Sequence, residues 1–301
     1  MSEPLRDAAT AFARYEAVRH RLPLAEFAET STQVATLRDV ADRFDGFLLD
    51  AFGVLNVGDT PIPGAIARMA ELRAMGKRLC VLTNAASYTR SGAVAKYRRL
   101  GFDFAPSEVV TSRDVASARL AAIAPGARWA TIAAPGDDFH DIPADLGDAI
   151  NDPALFDTSD AILFLSSVQW SAAVQDRLFN ALSRNPRPVV VANPDLVAPR
   201  EDGLSQEPGL FAHAILDAVS VPIHWFGKPF GGAFDDGVAR LGLPRDSIAM
   251  VGDTLHTDIL GGRAAGMGTV LIADHGLFAG QNVAPFIAAS GIVPDVIAAT
   301  T

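Results

Sequence analysis

The chain has 301 residues, 49% apolar and 20% charged, enough to bury a large core and, as a prior, to form about two domains. Its 25 basic and 35 acidic side chains give a net charge of −10, which disfavours nucleic acid and anionic membranes as partners but leaves a small anionic substrate open, because a local site can oppose the overall field. The lone cysteine, Cys80, lies in an apolar run and can form no internal disulfide; residues 1–20 have no continuous apolar stretch, and no run approaches membrane-spanning length, so a soluble cytoplasmic protein is expected.

Residues 4–20, rich in Ala and Arg, predict a helix. Leu37, Val40, Ala41 and Phe44 fall at helical spacing behind Thr36, a suitable N-cap residue. The apolar run Phe47-Leu48-Leu49 then ends in Asp50, and Gly53 follows three residues later, the pattern of a buried strand with an acid at its carboxyl end. Open α/β sheets bind ligands at that edge. Residues 61–76 predict a helix stopped by Gly76. A strand over 78–82 ends in Thr83-Asn84, a helix over 89–100 is stopped by Gly101, and 108–111 reads as a third strand. This alternation argues for a parallel sheet.

A second alternating cycle follows: strands over 129–134, 161–165 and 188–192, and a helix over 171–183. It predicts an inserted α/β domain over 125–210. After a helix near 209–219, a strand over 223–226 ends in Gly227-Lys228-Pro229. Another over 248–251 ends in Gly252-Asp253 with Asp258 close behind, and a last lies over 269–273. The expected organisation is an N-terminal helical extension (1–35), a discontinuous Rossmann-like α/β core (36–124 and 211–301) and an α/β cap (125–210).

The strand ends thus bring Asp50, Thr83, Lys228, Asp253 and Asp258 to one sheet edge. A carboxylate nucleophile, a hydroxyl donor, a cation and further acids for a divalent metal are the parts that phosphoryl transfer requires. Singly, each has an ordinary reading: Thr83-Asn84 as a turn, Gly227-Lys228-Pro229 as a solvated loop, Asp253 or Thr254 as a helix cap. Their order and spacing carry the inference.

In that order the chain resembles the haloacid dehalogenase (HAD) superfamily, class IIA, whose cap lies between the second and third motifs. The four motifs match at Asp50-Ala51-Phe52-Gly53-Val54-Leu55, Leu82-Thr83-Asn84, Gly227-Lys228-Pro229, and Gly252-Asp253 through Asp258. The resemblance spans about residues 44–275. It implies that Asp50 attacks phosphorus to form an aspartyl-phosphate that water then hydrolyses. It also implies that Mg²⁺ is held by the Asp50 carboxylate, the Phe52 backbone carbonyl and Asp253, with Asp258 supporting the metal's water or Lys228. Thr83 and Asn84 would bind the phosphoryl group, and Lys228 would neutralise charge. The substrate would be a small phosphorylated metabolite admitted by a mobile cap, with Asn193, Asp195 and Arg200 as cap-side candidates, although Asn-Pro-Asp is also a common turn. Class IIA relatives imply a possible homodimer.

One position departs from the pattern. Phosphatases of the superfamily carry a second Asp two residues after the nucleophile, as acid to the leaving group and base to water; here it is Phe52, which cannot carry a proton. Three readings follow: a phosphatase with relocated acid catalysis (His140, His256 and His275 being candidates), a dehalogenase-like hydrolase, or a phosphate-binding pseudoenzyme. The retained Asp253 and Asp258 weigh against the second, and the full nucleophile–metal–lysine set against the third.

Overall fold

The computed structural model describes residues 5–301, and two parallel sheets organise them. The first has seven strands in the spatial order Thr32–Thr36, Val296–Thr300, Gly268–Ile272, Ile248–Gly252, Gly46–Leu49, Arg78–Thr83, Val109–Thr111, all paired in parallel. Its two central strands, Gly46–Leu49 and Ile248–Gly252, are buried throughout, which is why they read as unbroken apolar runs. Alternation sets the faces. Phe47 and Leu49 pack with Ala65, Met69 and Tyr97 from the helices Ala65–Ala74 and Arg90–Arg99. Leu48 and Cys80 turn to the other face, against Ala233, Phe234 and Leu241 of Gly231–Leu241. Burial pushes the Cys80 thiol up to about 12, so it is a packing residue and no nucleophile.

The second sheet has five parallel strands in the order Ile223–Trp225, Val189–Val191, Ala161–Phe164, Arg128–Ile132, Asp145–Asp148. Here the structure corrects the expected boundaries. Ile223–Trp225 does not return the chain to the first sheet but pairs with Val189–Val191. A three-residue strand carries too little pattern to name its partner. The preceding helix, Pro208–Leu216, packs on the second sheet through Ala212 and Ile215, so the inserted unit runs past residue 210 to about 225. The N-terminal segment is corrected too. The helix expected over 4–20 begins outside the described residues and is seen as Ala8–Ala17, where the Asp7 carboxylate accepts the Thr10 N–H at 2.8 Å. Thr32–Thr36, within the expected helical extension, is instead the edge strand of the first sheet. It is mostly exposed and polar, so no apolar run marks it.

Two antiparallel hairpins lie where the units meet, Asn56–Val57 with Thr60–Pro61 and Val197–Arg200 with Gly203–Gln206. They touch: Glu201 Oε1 accepts the Asp59 N–H at 2.7 Å and the Thr60 hydroxyl at 3.2 Å. A buried guanidinium joins the units elsewhere, Arg113 pairing with both Asp137 and Asp141. The N-terminal helix also spans both. The Tyr15 hydroxyl accepts the Leu196 N–H at 3.1 Å, Tyr15 stacks on His256 at 4.9 Å, and Arg14 and Arg21 pair with Asp217. Among the described residues no helix is long and apolar enough to cross a membrane.

Candidate active site

Asp50 follows the central strand Gly46–Leu49, and its N–H is donated to the Val251 carbonyl of the neighbouring strand at 2.9 Å, so the backbone ladder fixes its height. Gly53 then turns at φ +76°; a Cβ there would sit 2.5 Å from Asp253 Cβ, so only glycine lets the turn pass this close to the second acid. Asp253 directly follows the adjacent strand, Ile248–Gly252. Its oxygens accept the Leu277 N–H at 2.7 Å and the Thr254 hydroxyl at 3.0 Å. Beyond it the chain makes one wide helical turn, Leu255–Ile259, in which the Ile259 N–H reaches back to the Thr254 carbonyl at 3.3 Å. Such π-turns recur at functional sites. This one brings Asp258 inward, where it accepts the Thr254 N–H at 3.0 Å over Gly252, whose missing side chain leaves the room. Neither Asp253 nor Thr254 acts as a simple helix cap.

Lys228 comes from the connection leaving the second sheet, not from a strand of the first. Its backbone is clasped by one side chain: Asn84 Oδ1 accepts the Lys228 N–H at 2.7 Å, and Asn84 Nδ2 donates to the Lys228 carbonyl at 2.9 Å. Its ammonium, 1% exposed, lies 2.5 Å from Asp50 Oδ1 and 2.7 Å from Asp258 Oδ1. Thr83 ends its strand one residue before Asn84 and is buried.

Asp50, Asp253 and Asp258 converge so that one oxygen of each lies within 4.8 Å of the others. Three carboxylates against one ammonium leave two negative charges when all ionise. The strain shows in the acids. Burial, with the Asp258 charge and against Lys228, raises Asp50 to about 7. Burial and the charges of Asp258 and Asp50 hold Asp253 well above the carboxylate range. Burial alone would lower Lys228, but Asp258, Asp50 and Asp195 hold it above its usual value. An all-oxygen donor set with this charge deficit fits a hard divalent cation.

The cap-side candidates are placed unequally. Asp195 reaches the site, its Oδ1 accepting the second Asn84 N–H at 2.8 Å. Asn193 does not: it is buried, donating to Glu207 at 3.0 Å and accepting the Asp195 N–H at 3.0 Å, the turn that Asn-Pro-Asp also suggested. Arg200 bonds Ser205 and Glu207 and lies over the Phe52 ring, 4.6 Å from its centroid, as does Lys96 Nζ. The histidines stand apart. His140 is exposed and paired with Asp138, the buried His256 points its Nε2 at Glu16, and His275 Nε2 faces Thr300. Three residues in contact with these groups carry no signal in the sequence. Lys96 looks like one more base in the Arg-rich stretch Arg90–Arg99, Glu207 has no motif, and Leu277 contributes only a backbone N–H. A cavity of about 340 Å³ lies nearby, lined by Ser87, Ser167, Trp170, Arg200, Ser205 and Gln206 among others.

Family models match at two stretches, a haloacid dehalogenase-like hydrolase model over residues 47–142 and a HAD-hydrolase-like model over 225–299. A glycerol-3-phosphate phosphatase from Gallus gallus is 30% identical over 286 residues, covering 86% of this chain and 90% of its own. An acid sugar phosphatase from Staphylococcus aureus is 26% identical over 231 residues, covering 76% and 86%. Among solved structures, a glycerol phosphate phosphatase from Mycobacterium tuberculosis in complex with magnesium superposes with TM-score 0.69 at 26% identity, over 87% of this chain and 76% of that one. A possible sugar phosphatase of the HAD superfamily from Cytophaga hutchinsonii gives 0.77 at 23% identity, over 90% and 98%; at that identity it speaks to the fold.

Proposed function

Since the chain belongs to the haloacid dehalogenase-like hydrolases, in their phosphatase branch, we propose that it is a magnesium-dependent hydrolase of a small phosphate monoester and that Asp50 is its nucleophile. The carrying observation is the convergence of Asp50, Asp253 and Asp258 on one another, with the Lys228 ammonium against Asp50 and Asp258. Asp50, Asp253 and the Phe52 carbonyl would hold Mg²⁺, with Asp258 behind them; the ion would supply charge neutralisation for the phosphoryl oxygens. Asp50 attacks phosphorus and takes the phosphoryl group, and water then releases phosphate. Lys228, held between Asp50 and Asp258, keeps the nucleophile oriented and offsets the charge that gathers on the equatorial oxygens. Thr83 donates its hydroxyl to those oxygens, and Asn84 fixes Lys228 by clasping its peptide.

The substrate is read as small and hydroxylated. Asp50 is only 14% exposed, and the neighbouring cavity offers hydroxyl, amide and guanidinium groups. The chicken and mycobacterial relatives are named for glycerol phosphate. Entry would require the cap to move, and the exposed Asp59–Glu201 contact between the two hairpins would part as it does. The dehalogenase reading lacks support in a site built with two negative charges to spare. The test is turnover with and without metal. Release of phosphate from glycerol 3-phosphate or p-nitrophenyl phosphate that stops with chelator and returns with Mg²⁺ is expected. Halide release from 2-haloacids, or phosphate binding without turnover, would overturn the reading.

A further inference from the structure

Phe52 leaves the leaving-group oxygen without its usual proton donor, and the three histidines do not replace it. His140 is exposed on its own loop, while His256 and His275 commit a ring nitrogen to Glu16 and Thr300. Glu207 is fully engaged by Ser205, Arg200 and Asn193. Asp253 accepts on both oxygens, and Asp258 is shared between Thr254 and Lys228. One further carboxyl joins this cluster, and it enters from the second unit.

We propose that Asp195 is the catalytic acid and base of this enzyme, standing in for the position occupied by Phe52. This rests on the phosphatase reading above and names the residue that completes it. Three contacts hold Asp195 rigidly. Its own N–H is donated to Asn193 Oδ1 at 3.0 Å, the next N–H, of Leu196, to the Tyr15 hydroxyl at 3.1 Å, and its Oδ1 accepts from Asn84 Nδ2 at 2.8 Å. Asn84 is the side chain that clasps Lys228, so the acid is tied to the nucleophile's own partner. Oδ2 makes no hydrogen bond among the described residues and is free to meet a leaving oxygen. Such preorganisation by neighbouring shells is what proton transfer in a site needs. The charges facing Asp195 are Lys228, Asp50 and Asp258. Burial outweighs Lys228 and raises the carboxyl above the usual carboxylate range, which favours the proton-bearing form that can donate.

The step balances. As Asp50 forms its bond to phosphorus and the P–O bond to the leaving group breaks, the Asp195 proton passes to the departing oxygen and a neutral alcohol leaves. The resulting carboxylate then takes a proton from the water that attacks phosphorus. The Asp50–phosphorus bond breaks, phosphate is released, and Asp195 is protonated again.

The test is Asp195→Asn, which keeps an oxygen for the Asn84 amide but holds no transferable proton, assayed with Mg²⁺ on two substrates. For glycerol 3-phosphate, whose alkoxide needs a proton, kcat/KM falls by about 10²–10⁴-fold, the range general acid catalysis supplies. For p-nitrophenyl phosphate, whose phenolate leaves unaided, the loss is under about 10-fold, and the high-pH decline of the alkyl reaction flattens. Asp195→Asn with Phe52→Asp recovers part of the alkyl rate. Equal losses on both substrates, the mark of a structural role, would overturn the proposal, as would an unchanged alkyl rate. Absence of metal-dependent turnover in the wild-type protein would instead overturn the phosphatase reading itself.

Discussion

Arg200, from the hairpin Val197–Arg200, places its guanidinium carbon 4.6 Å from the centre of the Phe52 ring, two residues beyond Asp50. Lys96 approaches the same ring at 4.6 Å from the helix Arg90–Arg99. The Phe52 ring is therefore an aromatic surface shared by two cations, each such contact worth about 0.5–2 kcal/mol. A carboxylate put there would meet the same cations. Phe52→Asp is expected to fold and, at low salt, to melt above Phe52→Asn, with the gap closing as ionic strength rises. Equal melting temperatures at all salt concentrations would contradict this placement.

Gly53 and Asp253 interlock, and the turn at φ +76° has no space for a side chain. Gly53→Ala should displace Asp253 and raise the Mg²⁺ concentration required for half-maximal turnover by about 10–100-fold, the usual cost of disturbing a ligand's support. Asp253→Ala, which removes a carboxylate, should weaken binding at least as much. A wild-type Mg²⁺ titration in either variant would take Asp253 out of the metal site.

The acids make stability depend on pH and metal together. Asp50 rises from 3.8 to about 7 on folding, so between those values the folded chain binds a proton that the unfolded chain does not. By linkage, the Asp50 contribution should make metal-free protein lose stability as pH rises from about 4 to 7. Mg²⁺ held by the ionised carboxylates, as proposed, should remove that loss. Thermal melts in chelator and in Mg²⁺ across this range check it; parallel curves would show that the two do not compete for Asp50.

The N-terminal helix holds more than its own end. Tyr15→Phe leaves the Leu196 N–H, now bonded to the Tyr15 hydroxyl at 3.1 Å, without a partner in a buried setting. The cost should be about 1–3 kcal/mol in urea unfolding. A variant as stable as wild type would show that Leu196 finds another acceptor.

The sequence made the first sheet's central strands legible because burial on both faces leaves nothing but apolar residues, as in Phe47–Leu49 and Ile248–Val251. Edge strands have one open side and no such signature. Thr32–Thr36 therefore reads as part of a helical extension although it pairs with Val296–Thr300, and the three residues of Ile223–Trp225 do not specify Val189–Val191 as their partner. At the site, Asp50, Asp253, Asp258 and Lys228 stood out because each ends or follows a strand with a glycine close by. Lys96, Glu207 and Tyr15 did not: their places come from tertiary packing of helices and a hairpin whose local sequences are ordinary. Asn193 and Asp195 sit in one turn, and only the fold shows that the first serves the turn while the second reaches Asn84.

Asp50 is the nucleophile on which the proposed mechanism depends. Its most direct measurement is the turnover of p-nitrophenyl phosphate by Asp50→Asn with saturating Mg²⁺, alongside a thermal melt to confirm the fold. The substitution keeps the shape at the end of the strand and removes the charge that attacks phosphorus. Loss of turnover by a factor of about 10³ or more in a folded protein is the expected result, in line with removal of a nucleophile acting as part of a unit. Turnover at the wild-type rate would contradict the covalent mechanism.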